Sequence, residues 1–385
     1  MRVCHQCGAS CNAQDRFCAA CGTTLAEESS SGVTDPLVGR TVGGAYTLQE
    51  IVGVGGMGRV YRAEQQVLGR TVAVKVIHPH LLGDQQTVAR FYAEARTASR
   101  LNHPNSVGII DFGRTDDGIL YLVMEFLQGK DLAFVMHEEG PLPLRRVCEM
   151  IIATLDALAE AHHLGVVHRD LKPENIIVKK LRSGGDLVKV VDFGLATILG
   201  GGESSITRPG LVCGTPDYMA PEQARGEQVD GRTDLYSLGV ALFELITEQL
   251  PYRDETPTKV VLRHLNDPIP DPRECAPHRN IPKALADLTV RALDKDPAKR
   301  FQSAEEMQEA LRAVLASLRA GRQQAPCSIC GTANPPKMRF CGQCGNPLSG
   351  MHVVSTLPPR RAAQPSFVPV GAGTDRPFVG RLTEL

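Results

Sequence analysis

From Tyr46 to about Ala320 the apolar positions are continuously patterned, with strand-like segments first and helix-like segments later. Tyr46–Val52 and Val60–Ala63 are expected strands on either side of a glycine cluster, and the β-branched run Thr71–Ile77 is a third. Residues 85–101 are expected to form a helix that ends before His103-Pro104, since a residue ahead of proline avoids helical backbone. Over 144–164, Val147, Ile151, Leu155 and Leu158 fall on one helical face. A last helix has Ser303 three residues before Glu306 as a capping box, an apolar stripe of Met307, Leu311, Val314, Leu315 and Leu318, and Gly321 as its stop. The most apolar stretches, Ile119–Leu127 and Val188–Leu199, are short and interrupted by charge, so no stretch approaches the ~20 apolar residues of a membrane helix.

Composition changes little of this picture except at its edges. The 385 residues are 42% hydrophobic and 22% charged, which excludes wholesale disorder, and the formal net charge of −1 argues for no nucleic-acid or acidic-membrane partner. The N-terminus lacks an apolar run and is not a signal peptide, so the chain is read as soluble and cytoplasmic. Its 12 cysteines are uneven: five lie in the first 21 residues and four between Cys327 and Cys344. Cys4-x2-Cys7-x10-Cys18-x2-Cys21 repeats as Cys327-x2-Cys330-x10-Cys341-x2-Cys344, with Arg-Phe before each third Cys and Gly after each second and fourth. The expected organisation is a cysteine module at 1–25, a linker at 26–45, the main domain at 46–320, a second module at 327–348 and a Pro-rich, disordered tail at 349–385.

Chemistry enters with the glycine cluster Gly53-Val54-Gly55-Gly56-Met57-Gly58. G-x-G-x-x-G alone also fits a dinucleotide turn, but such a turn leads into a helix, whereas here the strand Val60–Ala63 follows. A strand–loop–strand flap can lay backbone N–H groups over phosphates. Lys75, in the apolar strand Val72-Ala73-Val74-Lys75, needs a counter-charge if buried, and Glu94 on the next helix is the candidate. The string His168-Arg169-Asp170-Leu171-Lys172-Pro173-Glu174-Asn175 supplies what phosphoryl transfer to a hydroxyl requires. Asp170 could accept from the incoming O–H, Lys172 could compensate phosphoryl charge, and Asn175 with Asp192 of Asp192-Phe193-Gly194 offers oxygens to a metal ion.

These strings, with Ala220-Pro221-Glu222 after them, resemble in order the eukaryotic-like Ser/Thr protein kinases, especially the bacterial branch, over residues 46 to about 315. The resemblance implies an α+β, two-lobed protein kinase fold with a β-rich N-lobe and a helical C-lobe. It implies ATP and Mg²⁺ or Mn²⁺ as cofactors and protein substrates as partners. Lys75 would hold phosphates and pair with Glu94; Asp170 would orient the substrate hydroxyl; Asn175 and Asp192 would bind the metal ion. Gly53, Gly55, Gly56, Gly58, Val60, Ala73, Met124 (the gatekeeper), Glu125 and Leu127 (the hinge) would surround the nucleotide. Asp234 and Arg300 resemble the structural Asp and the Arg that pairs with Glu222. Lys172 and Thr215 favour Ser/Thr over Tyr specificity. Residues 194–220 resemble an activation loop, with Thr207, and Ser204 or Ser205 as alternates, as expected autophosphorylation sites. Two departures stand out: Ser106, where an aliphatic residue is usual, and a long, charged hairpin at Lys179–Asp186. The rival class is a non-catalytic scaffold that only binds partners, which complete catalytic strings argue against.

Paired C-x-x-C spacing is the pattern of tetrahedral thiolate sites, and the modules resemble small zinc ribbons with Cys4, Cys7, Cys18, Cys21 and Cys327, Cys330, Cys341, Cys344 as ligands to two structural Zn²⁺. The same spacing also admits a disulfide or a redox switch. Basic residues are sparse in both, favouring protein docking or self-association over nucleic acid. At the C-terminus, Phe378-Val379-Gly380-Arg381 before Glu384-Leu385 looks like the opening of a signalling ATPase domain of the AAA/STAND type; either the chain is a fragment of a longer kinase or the likeness is accidental.

Overall fold

A six-stranded antiparallel sheet lies in the larger of the two units, Met1–Gly321 and Arg322–Leu385, into which the computed structural model divides. The structure describes residues 35–78, 85–193 and 216–321, the strand pair Arg2–Val3 and Ser10–Cys11, and residues 325–327, 329–334, 338 and 340–347. The sheet comprises β1 (Thr41–Val42), β2 (Tyr46–Gly55), β3 (Gly58–Gln65), β4 (Arg70–Ile77), β5 (Ile109–Arg114) and β6 (Leu120–Glu125), in the order β1-β2-β3-β4-β6-β5. Side chains alternate faces along each strand. Val72, Val74, Val76, Tyr121 and Val123 therefore build one apolar cluster with Tyr46, Leu48 and Tyr61. Ala73, Ile77, Leu120, Leu122 and Met124 build the other, against Phe91 and Ala95 of helix α1 (Gln85–Ala98). Lys75 shares the parity of Ala73 and Ile77, so it projects on the α1 side.

The stretch expected as a linker enters this sheet. Val42 of β1 is wholly buried, and β1 pairs with β2. Two residues are too few to display strand alternation, which is why the pattern begins only at Tyr46. β2 and β3 run up to the glycine cluster, where Gly55 pairs with Gly58 across a tight turn. Gly58 is sterically required: a Cβ there would lie 2.0 Å from the Val76 carbonyl oxygen of β4.

The helical part follows as β7 (Lys130–Asp131), α2 (Leu132–Glu139), α3 (Leu144–His163), β8 (Ile176–Lys180), β9 (Asp186–Val190), α4 (Pro221–Arg225), α5 (Gly231–Thr247), α6 (Pro257–Asn266), α7 (Pro272–Cys275), α8 (Lys283–Ala292) and α9 (Ala304–Gly321). The predicted stripe on α3 is its buried face, and it packs with Met307, Leu311 and Val314 of α9 in one core. Between Thr233 and Thr247 every residue of α5 except Glu244 is buried, so this helix is the axis on which the lobe is built. Asp230 caps it by accepting from Arg232 N, a cap worth about 1 kcal/mol. The expected box on α9 is half formed. Ser303 Oγ accepts from Glu306 N at 3.2 Å, but the Glu306 carboxylate takes Gln302 N at 2.7 Å. The charged hairpin of β8 and β9 is anchored at its far end, where Arg146 donates to both Asp186 oxygens at 2.6 and 3.0 Å. Among the described residues no helix is long and apolar enough to cross a membrane.

In the smaller unit, β10 (Ala325–Pro326) pairs antiparallel with β11 (Ala333–Asn334), which lies within the second cysteine module.

Candidate active site

The loop between α3 and β8 is held from beneath by one carboxylate. Asp234 of α5, fully buried, accepts from His168 N, Arg169 N and His162 Nε2, each at 2.8 Å. Arg169 is thereby kept at φ 67°, a left-handed conformation that a long side chain adopts only under constraint. Burial pushes the Asp234 carboxyl up, but His162 and the converging N–H donors outweigh it and hold it below the usual carboxylate range. His168 Nε2 bonds the Val191 carbonyl at 2.8 Å, and its ring meets Phe193 edge-on at 5.0 Å. The loop and the Asp192-Phe193 segment are thus one assembly, closed further by Val191 N donating to Asn175 O at 3.0 Å.

Within this frame three expected groups converge. Lys172 Nζ lies 2.9 Å from Asp170 Oδ2. Asn175 Nδ2 donates to the Asp170 carbonyl at 2.7 Å and approaches its Oδ2 at 3.4 Å. With the amide nitrogen committed, Oδ1 is the Asn175 atom left to offer a hard cation. Asp192, at φ 64°, points its carboxylate to Lys75, with Nζ to Oδ2 at 2.9 Å. Burial pushes the Asp192 carboxyl up, but the Lys75 ammonium, helped by His168 and Lys172, wins and holds it below the ordinary range.

That pair corrects one expectation. Lys75 takes Asp192, not Glu94, as its carboxylate, and a Lys75–Glu94 ion pair is not among those of the described residues. The cause is geometric: the left-handed turn at Asp192 aims its half-buried carboxylate at Lys75. Glu94 sits half-buried on α1, three residues after the core residue Phe91. Val60, Ala73, Met124 and Leu127 gather in one apolar cluster under the glycine turn, as the walls of a flat apolar pocket would. Glu125 uses its side chain too: Oε1 accepts from Lys189 Nζ at 2.6 Å and Gly108 N at 2.8 Å. Lys189 also donates to the carbonyl of the unusual Ser106, which is buried.

Glu222 and Arg300 form a buried two-pronged pair, both N···O distances 2.7 Å, with Thr233 Oγ1 donating to Glu222 Oε1 at 2.9 Å. Gln223 Nε2 donates to the Arg169 carbonyl at 2.8 Å and so ties this region to the His168–Asn175 loop. Sequence reasoning passed over His162, Gln223, Thr233 and Lys189. No motif carries them; only the run of histidines at the end of α3 could have flagged His162. Thr207, Ser204, Ser205 and Thr215 lie outside the described residues.

Cys327, Cys330, Cys341 and Cys344 place their four sulfurs within 4.8 Å of one another. Four thiolates on a tetrahedral ion at about 2.3 Å stand about 3.8 Å apart. Two of the pairs here, Cys327–Cys344 and Cys330–Cys341, are at 3.5 and 3.6 Å. Gly331 and Gly345, at φ 70° and 69°, turn the chain after each C-x-x-C. N–H groups of Cys344 and Gln343 then aim at Cys341 and pull its thiol down to about 6. Cys4, Cys7, Cys18 and Cys21 lie outside the described residues.

The family model described as "Protein kinase domain" matches residues 46–312. "Serine/threonine-protein kinase pkn3" of Myxococcus xanthus is 46% identical over 283 residues, 73% of this chain and 52% of that protein. "Serine/threonine-protein kinase PrkC" of Bacillus subtilis is 37% identical over 272 residues, 71% of this chain and 41% of that one. The chain thus spans about half or less of the length of these curated relatives. Among solved structures, the Mycobacterium tuberculosis PknI kinase domain is 29% identical with a TM-score of 0.58, covering 72% of this chain and 99% of that one.

Proposed function

The chain belongs to the protein kinase family, and from that premise we propose that it is a Ser/Thr protein kinase, transferring the γ-phosphoryl group of ATP to Ser or Thr hydroxyls of proteins. The observation that carries this reading is the convergence of Asp170, Lys172 and Asn175 in one loop whose backbone is locked to Asp234 and to the segment bearing Asp192. Bound Mg²⁺–ATP, or its Mn²⁺ equivalent, would supply the phosphoryl group and the cation that neutralises it. Oxygens of Asn175 and Asp192 suit that cation, and Lys75 suits the phosphates. The glycine turn and the cluster of Val60, Ala73, Met124 and Leu127 suit the nucleotide. In this reading Asp170 accepts a hydrogen bond from the attacking hydroxyl and aligns it, while Lys172 offsets charge beside it. Lys75 holds Asp192 in its ionised form at neutral pH, which readies that carboxylate for a metal ion.

The relatives named serine/threonine-protein kinases, together with Lys172, support the choice of acceptor. Autophosphorylation of Thr207, Ser204 or Ser205, action in cytoplasmic signalling, and Zn²⁺ in both cysteine modules belong to the same reading. The sulfur cluster of the second module and the matched spacing of the first support zinc. The ribbons then serve protein docking or self-association. The test is incubation of the full chain with γ-labelled ATP, Mg²⁺ and a generic protein substrate, followed by phosphoamino-acid analysis. Label on serine or threonine is expected; no transfer to either protein would overturn the reading.

A further inference from the structure

We infer that Asp35 is a positioning residue for nucleotide binding, acting from the back of the sheet through Arg59 and Tyr61. The inference rests on the kinase reading above and extends it to a segment that no catalytic motif includes. Asp35 precedes β1, and its carboxylate is almost completely buried. Oδ2 is ion-paired with Arg59 Nη1, and Oδ1 accepts from Tyr61 Oη at 3.1 Å and from Leu37 N at 2.9 Å. The segment after it is fastened to β2: Gly39 N donates to Leu48 O at 2.7 Å, and Leu48 N to Arg40 O at 2.9 Å. One short strap therefore grips both strands of the glycine hairpin.

The register gives this grip its consequence. Arg59 and Tyr61 flank Val60 on β3. Tyr61 lies wholly buried in the cluster on the sheet's back face. Val60 turns the opposite way, packs with Ala73 and Met124, and stands across from Lys75 in the ladder. Holding residues 59 and 61 from behind fixes the height and pitch of residue 60 in front. Arg59 also directly follows Gly58, the last glycine of the turn, so the same clamp sets where the flap leaves β3. Burying a carboxylate under a sheet is costly unless its oxygens are filled. Here each oxygen has a donor, and two of the three donors belong to the strand that roofs the nucleotide. A purely stabilising role would not require partners on both sides of Val60.

The experiment is calorimetric titration of the full chain with Mg²⁺–ADP, with melting temperature and kcat at saturating ATP measured on the same samples. Losing one charge-assisted contact is expected to weaken nucleotide binding about three- to tenfold in Asp35→Asn. Tyr61→Phe, which keeps the packing and removes only the hydroxyl, is expected to weaken it by about half as much on a logarithmic scale. In both, kcat at saturation stays within about twofold, a split that lost folding alone would not produce. Asp117→Asn serves as a control, since its pair with Arg40 is half-exposed at the sheet surface. If Asp35→Asn does not fold, Tyr61→Phe decides. Wild-type affinity in the folded variants would overturn the inference and leave the kinase reading standing. A wild-type chain that binds no nucleotide would overturn both.

Discussion

Replacing Asp234 with Asn weakens the carboxylate anchor of the His168–Asn175 loop. The carboxylate serves three donors at 2.8 Å in a fully buried site. An amide has one accepting oxygen and an NH₂ that must face an acceptor. Its oxygen can keep Arg169 N, and its NH₂ can donate to His162 if that ring changes tautomer, which leaves His168 N without an acceptor. A charge-assisted bond is lost, at about 1.5–3 kcal/mol, and a buried N–H goes unsatisfied, at about 1–3 kcal/mol. The sum is about 2.5–6 kcal/mol, a fall in melting temperature of about 5–24 °C for a domain of this size. With His168 N unanchored, the backbone entering Arg169 loses one of its two ties to α5, shifting Asp170 just beyond it. A displacement near 1 Å at a reacting group costs about 100-fold in rate. Differential scanning calorimetry and steady-state kinetics on purified Asp234→Asn read both quantities. A melting temperature within about 1–2 °C of wild type together with kcat within about twofold would show that the loop does not depend on Asp234.

Arg300→Leu is expected to cost about 3–5 kcal/mol in denaturant unfolding, because Glu222 is left buried and charged. The double replacement Glu222→Leu/Arg300→Leu should recover part of that loss; a double variant less stable than the single one would contradict the pairing. Acid acts on the same pair. Burial pushes the Glu222 carboxyl up but Arg300 outweighs it and holds it below its unfolded value, so its stabilisation is complete above about pH 4.5 and is lost as pH falls through the folded value. Wild-type melting temperature should thus drop on acidification below about pH 4.5, and less steeply in Glu222→Gln; parallel pH profiles would refute this. Elemental analysis should find two zinc ions per chain, falling to one in Cys341→Ser/Cys344→Ser, and an unchanged content would exclude the four-thiolate site.

The chemistry of this chain was legible where it is local. The glycine turn, the His168–Asn175 string and the Asp192-Phe193-Gly194 string are each a few contiguous residues, and the helices α3 and α9 announce themselves by apolar stripes. What escaped the sequence is what the fold brings together from afar. His162 and Asp234 are 72 positions apart, Lys189 and Glu125 are 64 apart, and Gln223 reaches Arg169 across 54. No spacing rule links such residues, because their approach depends on how α3, α5 and the two lobes' loops pack. Lys75 shows the limit of inferring a partner from charge and proximity in sequence: the strand and its lysine were readable, but the turn that aims Asp192 at it was not. Asp35 shows another. A polar stretch with glycines reads as linker until the neighbours that bury its carboxylate are in place.

The most direct test of the central claim is single-turnover phosphoryl transfer by Asp170→Asn, with nucleotide affinity measured alongside. The substituted amide keeps the shape of the side chain and loses the charge that aligns the attacking hydroxyl. Transfer about 100-fold or more slower, with Mg²⁺–ATP affinity within about twofold of wild type, is the expected result. Transfer at the wild-type rate would contradict the assignment of Asp170 and with it the proposed mechanism.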